Sequence, residues 1–113
     1  MVIKVERKKL NKQELKETVG IFKKKLEKEN IPFEKVYVFG SYAKGKQKED
    51  SDIDIAVVVP SGLRQEQKDK LSQVAWWAKE INLKIESHIL TTKELNNRWL
   101  SFPAEIRKFG LLF

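Results

Sequence analysis

The chain has 113 residues, of which 41% are hydrophobic and 35% charged, and a formal net charge of +7. This length predicts one domain over residues 1–113, and the basic balance favours anionic partners such as nucleotides, with nucleic acid left open. No apolar run approaches the ~20 residues that span a bilayer, the first ten residues contain no signal-peptide apolar region, and there is no cysteine for disulfides or zinc fingers. We therefore expect a cytoplasmic protein without a membrane segment.

The first half of the chain predicts a helix followed by two strands. Asn11 and Glu14 have the spacing of an N-terminal capping box, and apolar residues at helical spacing continue as far as Asn30. Pro32 disfavours helix at the residue before it, so we expect the helix to end near Asn30. The segments that follow are predicted as a strand at 36–39, a single helical turn at 41–46, a polar loop at 47–51 and a strand at 52–59.

The second half predicts two further helical regions and one more strand. Thr91 and Glu94 form a second capping-box pattern, which opens a short helix towards Leu100. The remaining segments are an amphipathic helix at 63–80 with an apolar stripe that includes Ala75, a third strand at 83–90, a final helix from Pro103 to Gly110, and a terminal apolar tail at 111–113. The alternation of helices and strands predicts an α/β fold, with one small sheet packed against helices in a single domain.

Two adjacent tryptophans in the helix at 63–80 point in different directions. Consecutive helical residues are ~100° apart, which places Trp77 at the edge of the apolar stripe and Trp76 outwards. An outward tryptophan indicates either a partner surface or a site that the terminal segment covers. Further aromatic residues either extend that surface or form a second small core: Trp99, Phe102, Phe109 and Phe113.

Residues 40–47, GSYAKGKQ, differ at one position from the G-x-x-x-x-G-K-[ST] phosphate loop of ATPases and GTPases. That loop needs a Ser or Thr hydroxyl as a Mg²⁺ ligand where this chain has Gln47. It also opens a long helix, whereas residues 48–52 are polar and have no helical periodicity. The sequence therefore argues against an ATPase-type phosphate loop.

Two carboxylates at the start of the second strand indicate a different phosphate chemistry. Successive strand residues alternate between faces, so Asp52 and Asp54 point to one side, with Cα atoms ~6.5 Å apart. Two such oxygen ligands suit divalent cations, while Gly40 and Ser41 offer a close backbone and a hydroxyl to a triphosphate. Ser41 is also expected to act as the N-cap of the turn. The alternative is that the acids merely cap a turn.

Gly40-Ser41, a spacer of ten residues and Asp52-Ile53-Asp54 together resemble the signature of the DNA polymerase β-type nucleotidyltransferase superfamily. The version GSYAKG is especially similar to that of the small prokaryotic minimal nucleotidyltransferases. This resemblance implies a nucleotidyltransferase fold with a small mixed β-sheet.

The resemblance extends to residues 85–95 and 105–113 and implies a third carboxylate, which Glu86 matches. By strand alternation Glu86 shares a face with Lys84 and His88. Its implied roles are metal ligand and helper in deprotonating the acceptor hydroxyl. The alternative is an exposed strand residue that forms a salt bridge with a neighbouring lysine.

The resemblance implies transfer of a nucleoside monophosphate, expected to be AMP from ATP, to a hydroxyl acceptor. Two Mg²⁺ ions, with Mn²⁺ as an alternative, would be held by Asp52, Asp54 and Glu86. The nucleotide would be bound by Gly40, Ser41 and Lys44, although Lys44 also suits a solvated loop. His88 either contacts the nucleotide or acceptor, or is a structural histidine in a hydrogen bond.

Minimal nucleotidyltransferases pair with HEPN-domain proteins as antitoxin and toxin. The resemblance therefore implies an antitoxin that adds AMP to a tyrosine of a HEPN-domain partner. Two alternatives stay open: a non-catalytic antitoxin that neutralises its partner by occlusion, and an enzyme that nucleotidylates RNA or a small molecule. The sequence also leaves open a homo- or hetero-oligomer.

Overall fold

The structure is a computed structural model that describes residues 9–113. The predicted single domain of residues 1–113 and the predicted lack of a signal-peptide region both involve residues 1–8. These residues lie outside the described range, so both statements stay predictions. Among the described residues, no helix is both long enough and apolar enough to cross a bilayer.

Helices and strands alternate along the chain, which confirms the predicted α/β class. The helices are α1 Lys12–Lys28, α2 Ser41–Lys44, α3 Gln65–Leu71, α4 Val74–Ile81, α5 Thr92–Leu95 and α6 Ser101–Phe109. The strands are β1 Lys35–Phe39, β2 Ile53–Val59, β3 Ile85–Thr91 and β4 Leu111–Leu112.

The four strands form one mixed sheet in the order β3-β2-β1-β4. β1 pairs antiparallel with both β2 and β4, whereas β2 and β3 run parallel. A parallel pair needs a crossover connection, and α3 and α4 supply it between β2 and β3. The small mixed sheet that the resemblance implied is therefore confirmed.

Helices cover both faces of the sheet, which explains why β2 is apolar almost throughout. Ile53, Ile55 and Val57 share one core with buried residues of α1 and α4. Ala56 and Val58 point to the other face, where they form a second core with residues of α5 and α6. A strand that is buried on both faces has no polar alternation, as the run from Ile55 to Val59 shows.

The first helix forms as predicted. The Asn11 side chain accepts a hydrogen bond from the Glu14 backbone N–H at 2.8 Å, and Glu14 Oε1 accepts one from the Asn11 N–H at 3.1 Å. This reciprocal box satisfies two backbone donors that a helix start otherwise leaves without a partner. The buried stripe consists of Leu15, Val19, Phe22 and Leu26.

The single helix predicted at 63–80 is wrong, because the chain forms two helices separated by Ser72 and Gln73. The Ser72 hydroxyl donates to the Asp69 carbonyl at 2.7 Å, and the Gln73 N–H donates to the Lys70 carbonyl at 3.0 Å. These i to i−3 bonds tighten the turn and end α3. Ala75, predicted in the buried stripe, is exposed, since it lies ~100° from the buried Val74 around α4.

The terminal tail is also different from the prediction, because residues 111–112 form the edge strand β4. Leu111 pairs with Val38 and Leu112 with Tyr37, and the Phe113 N–H donates to the Val36 carbonyl at 3.0 Å. Trp76 remains 69% exposed, so the alternative in which the terminal segment covers it is wrong.

The boundaries of the last two helices are shifted. α5 ends at Leu95 rather than near Leu100, and α6 begins at Ser101, two residues before the predicted start at Pro103. Pro103 fits inside the first turn of α6 because backbone N–H groups there have no partner within the helix.

Candidate active site

The predicted site residues lie at one end of the sheet, where β1 ends and β2 and β3 begin. Asp54 is paired in register with Phe39 of β1 on one side and with Glu86 of β3 on the other. Residues paired in register point to the same face of a sheet, so Asp54 and Glu86 are neighbours on one face. Gly40 follows Phe39 directly. The register therefore brings together Gly40, Asp54 and Glu86.

Gly40 allows the backbone to lie against the Asp54 carboxylate. Its φ is 71° and its ψ −148°, and a Cβ added there would be 2.3 Å from Asp54 Oδ2. Gly40 is the N-cap residue of α2 and Ser41 the first helical residue, so the prediction that Ser41 is the N-cap is wrong. A positive φ at Gly40 directs the chain into the helix one residue earlier. Over residues 9–113 no hydrogen bond engages the Ser41 hydroxyl, which leaves it available to a ligand.

Asp52 lies just before β2, at the end of a loop that is held in place. The Lys48 N–H donates to Ser51 Oγ at 2.8 Å, and Lys84 Nζ donates to the Glu49 carbonyl. The strand itself begins one residue later than predicted, where the Ile53 N–H donates to the Lys84 carbonyl at 2.8 Å. Asp52 is exposed to solvent. The loop therefore presents Asp52 to solvent next to the half-buried Asp54.

The Asp54 carboxylate is partly buried among other charged groups. Its side chain is 27% exposed, and His88 Nε2 lies 3.9 Å from Oδ1. Burial raises the pKa of Asp54, and the negative charges of Asp52, Glu86 and Glu105 raise it further, while His88 acts in the opposite direction. Within the described part of the chain the carboxylate accepts no hydrogen bond. A half-buried oxygen donor in this position suits a cation.

Glu86 forms a salt bridge with a lysine, as one interpretation predicted, and it also lies beside Asp54. It is the in-register neighbour of Asp54, and its Oε1 accepts a hydrogen bond from Lys79 Nζ at 2.8 Å. Lys79 Nζ also donates to the Leu83 carbonyl at 2.9 Å, which fixes its position. Among residues 9–113, no group of three or more His, Cys, Asp or Glu side chains lies close enough to hold a metal ion. Asp52, Asp54 and Glu86 therefore do not form a preassembled three-ligand site.

Lys44, at the end of α2, contacts α6. Its Nζ lies 3.3 Å from Glu105 Oε1 and 4.8 Å from the centre of the Phe109 ring. A triphosphate that binds Lys44 would compete with Glu105 for the ammonium group.

His88 lies among aromatic rings beside Asp54. Its ring centre is 5.3 Å from that of Phe39 and 5.1 Å from that of Phe102, and the two phenylalanine rings are 5.2 Å apart. In the residues that the structure describes, no hydrogen bond to His88 is found, so the alternative of a hydrogen-bonded structural histidine has no support. Phe102 belongs to α6, so this helix forms one wall of the site.

Three residues that contact the site were not identified from the sequence: Lys79, Phe102 and Glu105. Phe102, Glu105 and Phe109 have i, i+3, i+7 spacing, which places them on one face of α6. This spacing predicts a shared face, although it does not show that the face borders the site. The sequence contains no signal for the pairing of Lys79 with Glu86.

Comparisons with known proteins identify the family. Residues 15–110 match the nucleotidyltransferase domain family. A protein of Methanocaldococcus jannaschii named "Putative protein adenylyltransferase MJ1379" is 32% identical over 82 residues, which cover 73% of this chain and 80% of that protein. A second protein of this organism, "Putative protein adenylyltransferase MJ1215", is 54% identical over 44 residues, which cover 39% of this chain and only 50% of that relative's length.

Solved structures are also similar. A structure described as a "putative nucleotidyltransferase" from Sulfolobus solfataricus has a TM-score of 0.59 and 25% identity, covering 88% of this chain and 78% of that one. A toxin–antitoxin structure with AMP-PNP has 28% identity and a TM-score of 0.48, covering 81% of this chain and 69% of that one. The family match over residues 15–110 by itself shows that the chain belongs to the nucleotidyltransferase domain family, as the Gly-Ser and Asp-Ile-Asp elements predicted.

Proposed function

We propose that the chain transfers AMP from ATP to a hydroxyl group of a protein and that it does so in the cytoplasm. The observation that carries the proposal is the register that places Asp54 beside Glu86, with the Gly40 backbone against the Asp54 carboxylate. The relatives named as protein adenylyltransferases support AMP as the transferred group and a protein as its acceptor.

Asp52 and Asp54 are the residues that would hold Mg²⁺ or Mn²⁺, with two ions expected. Mg²⁺ is usually bound through one or two carboxylates together with substrate phosphates, rather than by a complete protein cage. Two carboxylates without a third preassembled ligand fit this mode. When bound, the ions would neutralise the phosphate oxygens on which negative charge develops.

The remaining residues act on the nucleotide and the acceptor. The acceptor hydroxyl oxygen forms a bond to the α-phosphorus, and the bond from that phosphorus to the leaving pyrophosphate breaks. Glu86 takes the hydroxyl proton, with Lys79 holding its Oε1 in place. The phosphates lie against Gly40 and the Ser41 hydroxyl, and Lys44 exchanges Glu105 for the phosphates.

The acceptor proposed here is a HEPN-domain toxin, with a tyrosine hydroxyl as the modified group and the chain as its antitoxin. This assignment rests on the sequence resemblance to minimal nucleotidyltransferases. The formal net charge of +7 is consistent with a partner that binds through opposite charge.

A labelling experiment tests the proposal. The purified chain is incubated with ATP labelled at the α-phosphate, Mg²⁺ and a HEPN-domain protein from the same genome. We expect label on the partner protein, and we expect its loss in Asp52→Asn and Asp54→Asn. Asp50→Asn is the matched control, because Asp50 is an exposed acid of the same loop outside the site.

Other outcomes identify the alternatives. Neutralisation of the toxin that survives Asp52→Asn and Asp54→Asn, without any label transfer, indicates occlusion by a non-catalytic antitoxin. Label that enters RNA or a small molecule, and not the protein, contradicts the protein acceptor while retaining the nucleotidyltransferase.

A further inference from the structure

An exposed apolar surface lies on the segment between α5 and α6 and on the first turn of α6. Its residues are Trp99, Leu100 and Phe102, which are 86%, 46% and 36% exposed. We call these three residues the Trp99 surface. Exposed aromatic and aliphatic residues in one cluster are typical of sites that bind a protein partner.

The Trp99 surface continues directly into the site. Phe102 contacts His88 and Phe39 through its ring, and His88 lies 3.9 Å from Asp54. Leu100 and Phe102 also line an open groove of about 230 Å³ against Ile89 of β3. A groove beside an exposed tryptophan can receive an apolar side chain of a partner. A partner bound there would lie next to the atoms that perform the transfer.

Contacts with α6 hold the segment that carries the Trp99 surface in place. Arg107 of α6 donates hydrogen bonds to the carbonyl groups of Leu95 and Asn97, which anchor the start of this segment. Ile106, which directly precedes Arg107 in α6, is fully buried in the second core. A surface that is fixed before binding loses less conformational entropy when a partner docks.

The chain segment that carries the Trp99 surface has mainly positive charges. Residues 93–109 contain four cationic side chains, Lys93, Arg98, Arg107 and Lys108, against two acidic ones, Glu94 and Glu105. Glu105 is already paired with Lys44, and Glu94 caps α5 through the backbone of Thr91. The surroundings are therefore complementary to an acidic partner.

We propose that the Trp99 surface docks the acceptor protein, and that this protein presents an acidic patch with an apolar centre. This inference rests on the proposed function, because it assigns a binding surface to the acceptor. The acceptor hydroxyl enters the site past Phe102, which is the residue of the Trp99 surface whose ring contacts His88 beside Asp54.

Binding and transfer are measured separately to test this inference. The HEPN-domain protein of the labelling experiment is titrated calorimetrically into the wild-type chain and into Trp99→Ala. We expect Trp99→Ala to weaken binding at least tenfold and to raise the KM for the acceptor, with the KM for ATP unchanged. Because Trp99 is 86% exposed, the substitution leaves the fold intact.

Trp76→Ala is the matched control, since Trp76 is the other strongly exposed tryptophan and lies on α4, which packs on the opposite face of the sheet. We expect it to bind the acceptor as the wild type does. Arg98→Glu should weaken binding and reduce its dependence on salt, because it removes a charge that faces an acidic partner.

Four outcomes overturn the inference. Absent binding by the wild type, or equal loss of affinity in Trp76→Ala and Trp99→Ala, excludes the Trp99 surface as the specific docking site. If Phe102→Ala raises the KM for ATP and leaves acceptor binding unchanged, Phe102 and the wall of the site that α6 forms bind the nucleobase instead. If Trp99→Ala converts a dimer of the chain into a monomer, the occupant is a second copy. Weakened binding by Trp99→Ala without any AMP transfer by the wild type supports the docking surface and contradicts the proposed function.

Discussion

Gly40→Ala is the substitution for which the structure gives the sharpest expectation. A Cβ at this position would lie 2.3 Å from Asp54 Oδ2 and 3.2 Å from Asp54 Cγ. The carboxylate must therefore rotate away, which moves it out of the position that faces Glu86. We expect the substitution to destabilise the fold and to abolish AMP transfer together.

Two contributions add up to the expected loss of stability. The backbone at Gly40, with φ 71° and ψ −148°, lies near a region that only glycine adopts readily, and a residue forced to stay there costs about 1–3 kcal/mol. Rotating Asp54 away from its preferred side-chain geometry costs about 0.5–1.5 kcal/mol more. The free energy of unfolding should therefore fall by about 2–4 kcal/mol, and each kcal/mol lowers Tm by about 4–8 °C in a domain slightly smaller than this chain.

Gly45→Ala is the matched control, because its φ is also positive, at 68°, but a Cβ there meets nothing within 4 Å. We expect it to lose about 1–2 kcal/mol, the cost of a left-handed conformation alone. Urea denaturation of both variants measures the difference between them. Repeating Gly40→Ala in an Asp54→Ala background should remove the steric contribution and leave the backbone cost.

Equal losses for Gly40→Ala and Gly45→Ala would refute the steric reasoning. So would a Gly40→Ala cost that does not change when the Asp54 side chain is truncated. Either result would mean that the Gly40 backbone does not confine the carboxylate.

Three further predictions concern the charges of the site. Asp54→Asn should raise the free energy of unfolding at pH 7 by about 0.5–1 kcal/mol. Because the pKa of Asp54 is raised in the folded state, the protonated carboxyl of the wild type contributes stability that is complete below the unfolded-state pKa and is lost as pH rises through the folded-state pKa. Thermal melts from pH 4 to 8 should therefore show that the stability difference between Asp54→Asn and the wild type shrinks as pH falls. Mg²⁺ at ten times its Kd should stabilise the wild type by about 1.4 kcal/mol in a thermal melt, and an equal stabilisation of Asp54→Asn would contradict the ligand role. Lys79→Met should cost at most about 1 kcal/mol in urea denaturation, because both Lys79 and Glu86 are more than a third exposed, and a loss above 2 kcal/mol would show a larger structural role.

Local signals were sufficient to predict the elements on which the site is built. The capping box of Asn11 and Glu14 and the stripe from Leu15 to Leu26 determine α1 within a few residues, because both depend on neighbouring side chains only. Strand alternation correctly placed Ile53 and Ile55 in the core, which leaves Asp54 on the opposite face. The Gly-Ser element and the paired acids also predicted the family, because the motif combines two separate parts of the chain at a defined spacing.

Contacts between residues far apart in the chain could not be predicted from the sequence. Leu111 and Leu112 are too short a segment for strand periodicity, and they become β4 only because β1 offers a free edge. Glu105 meets Lys44 across 61 residues, which no local pattern encodes. The apolar stripe of the helix predicted at 63–80 continues past Ser72, so periodicity gave no indication of the break that separates α3 from α4.

The charge that the fold disfavours is the charge that the proposed reaction needs. Burial and three acidic neighbours raise the pKa of Asp54, so its ionised form opposes folding. Gly40 leaves room for the carboxylate in that position, whereas the Cβ of any other residue would displace it. A protein selected for stability alone would neutralise Asp54, as an asparagine does. A cation bound with the nucleotide phosphates reverses the sign of this interaction, because a positive charge favours the carboxylate over the acid. The site should therefore be most stable when ATP and Mg²⁺ are both bound, and it should gain more stability from the pair than from either one alone.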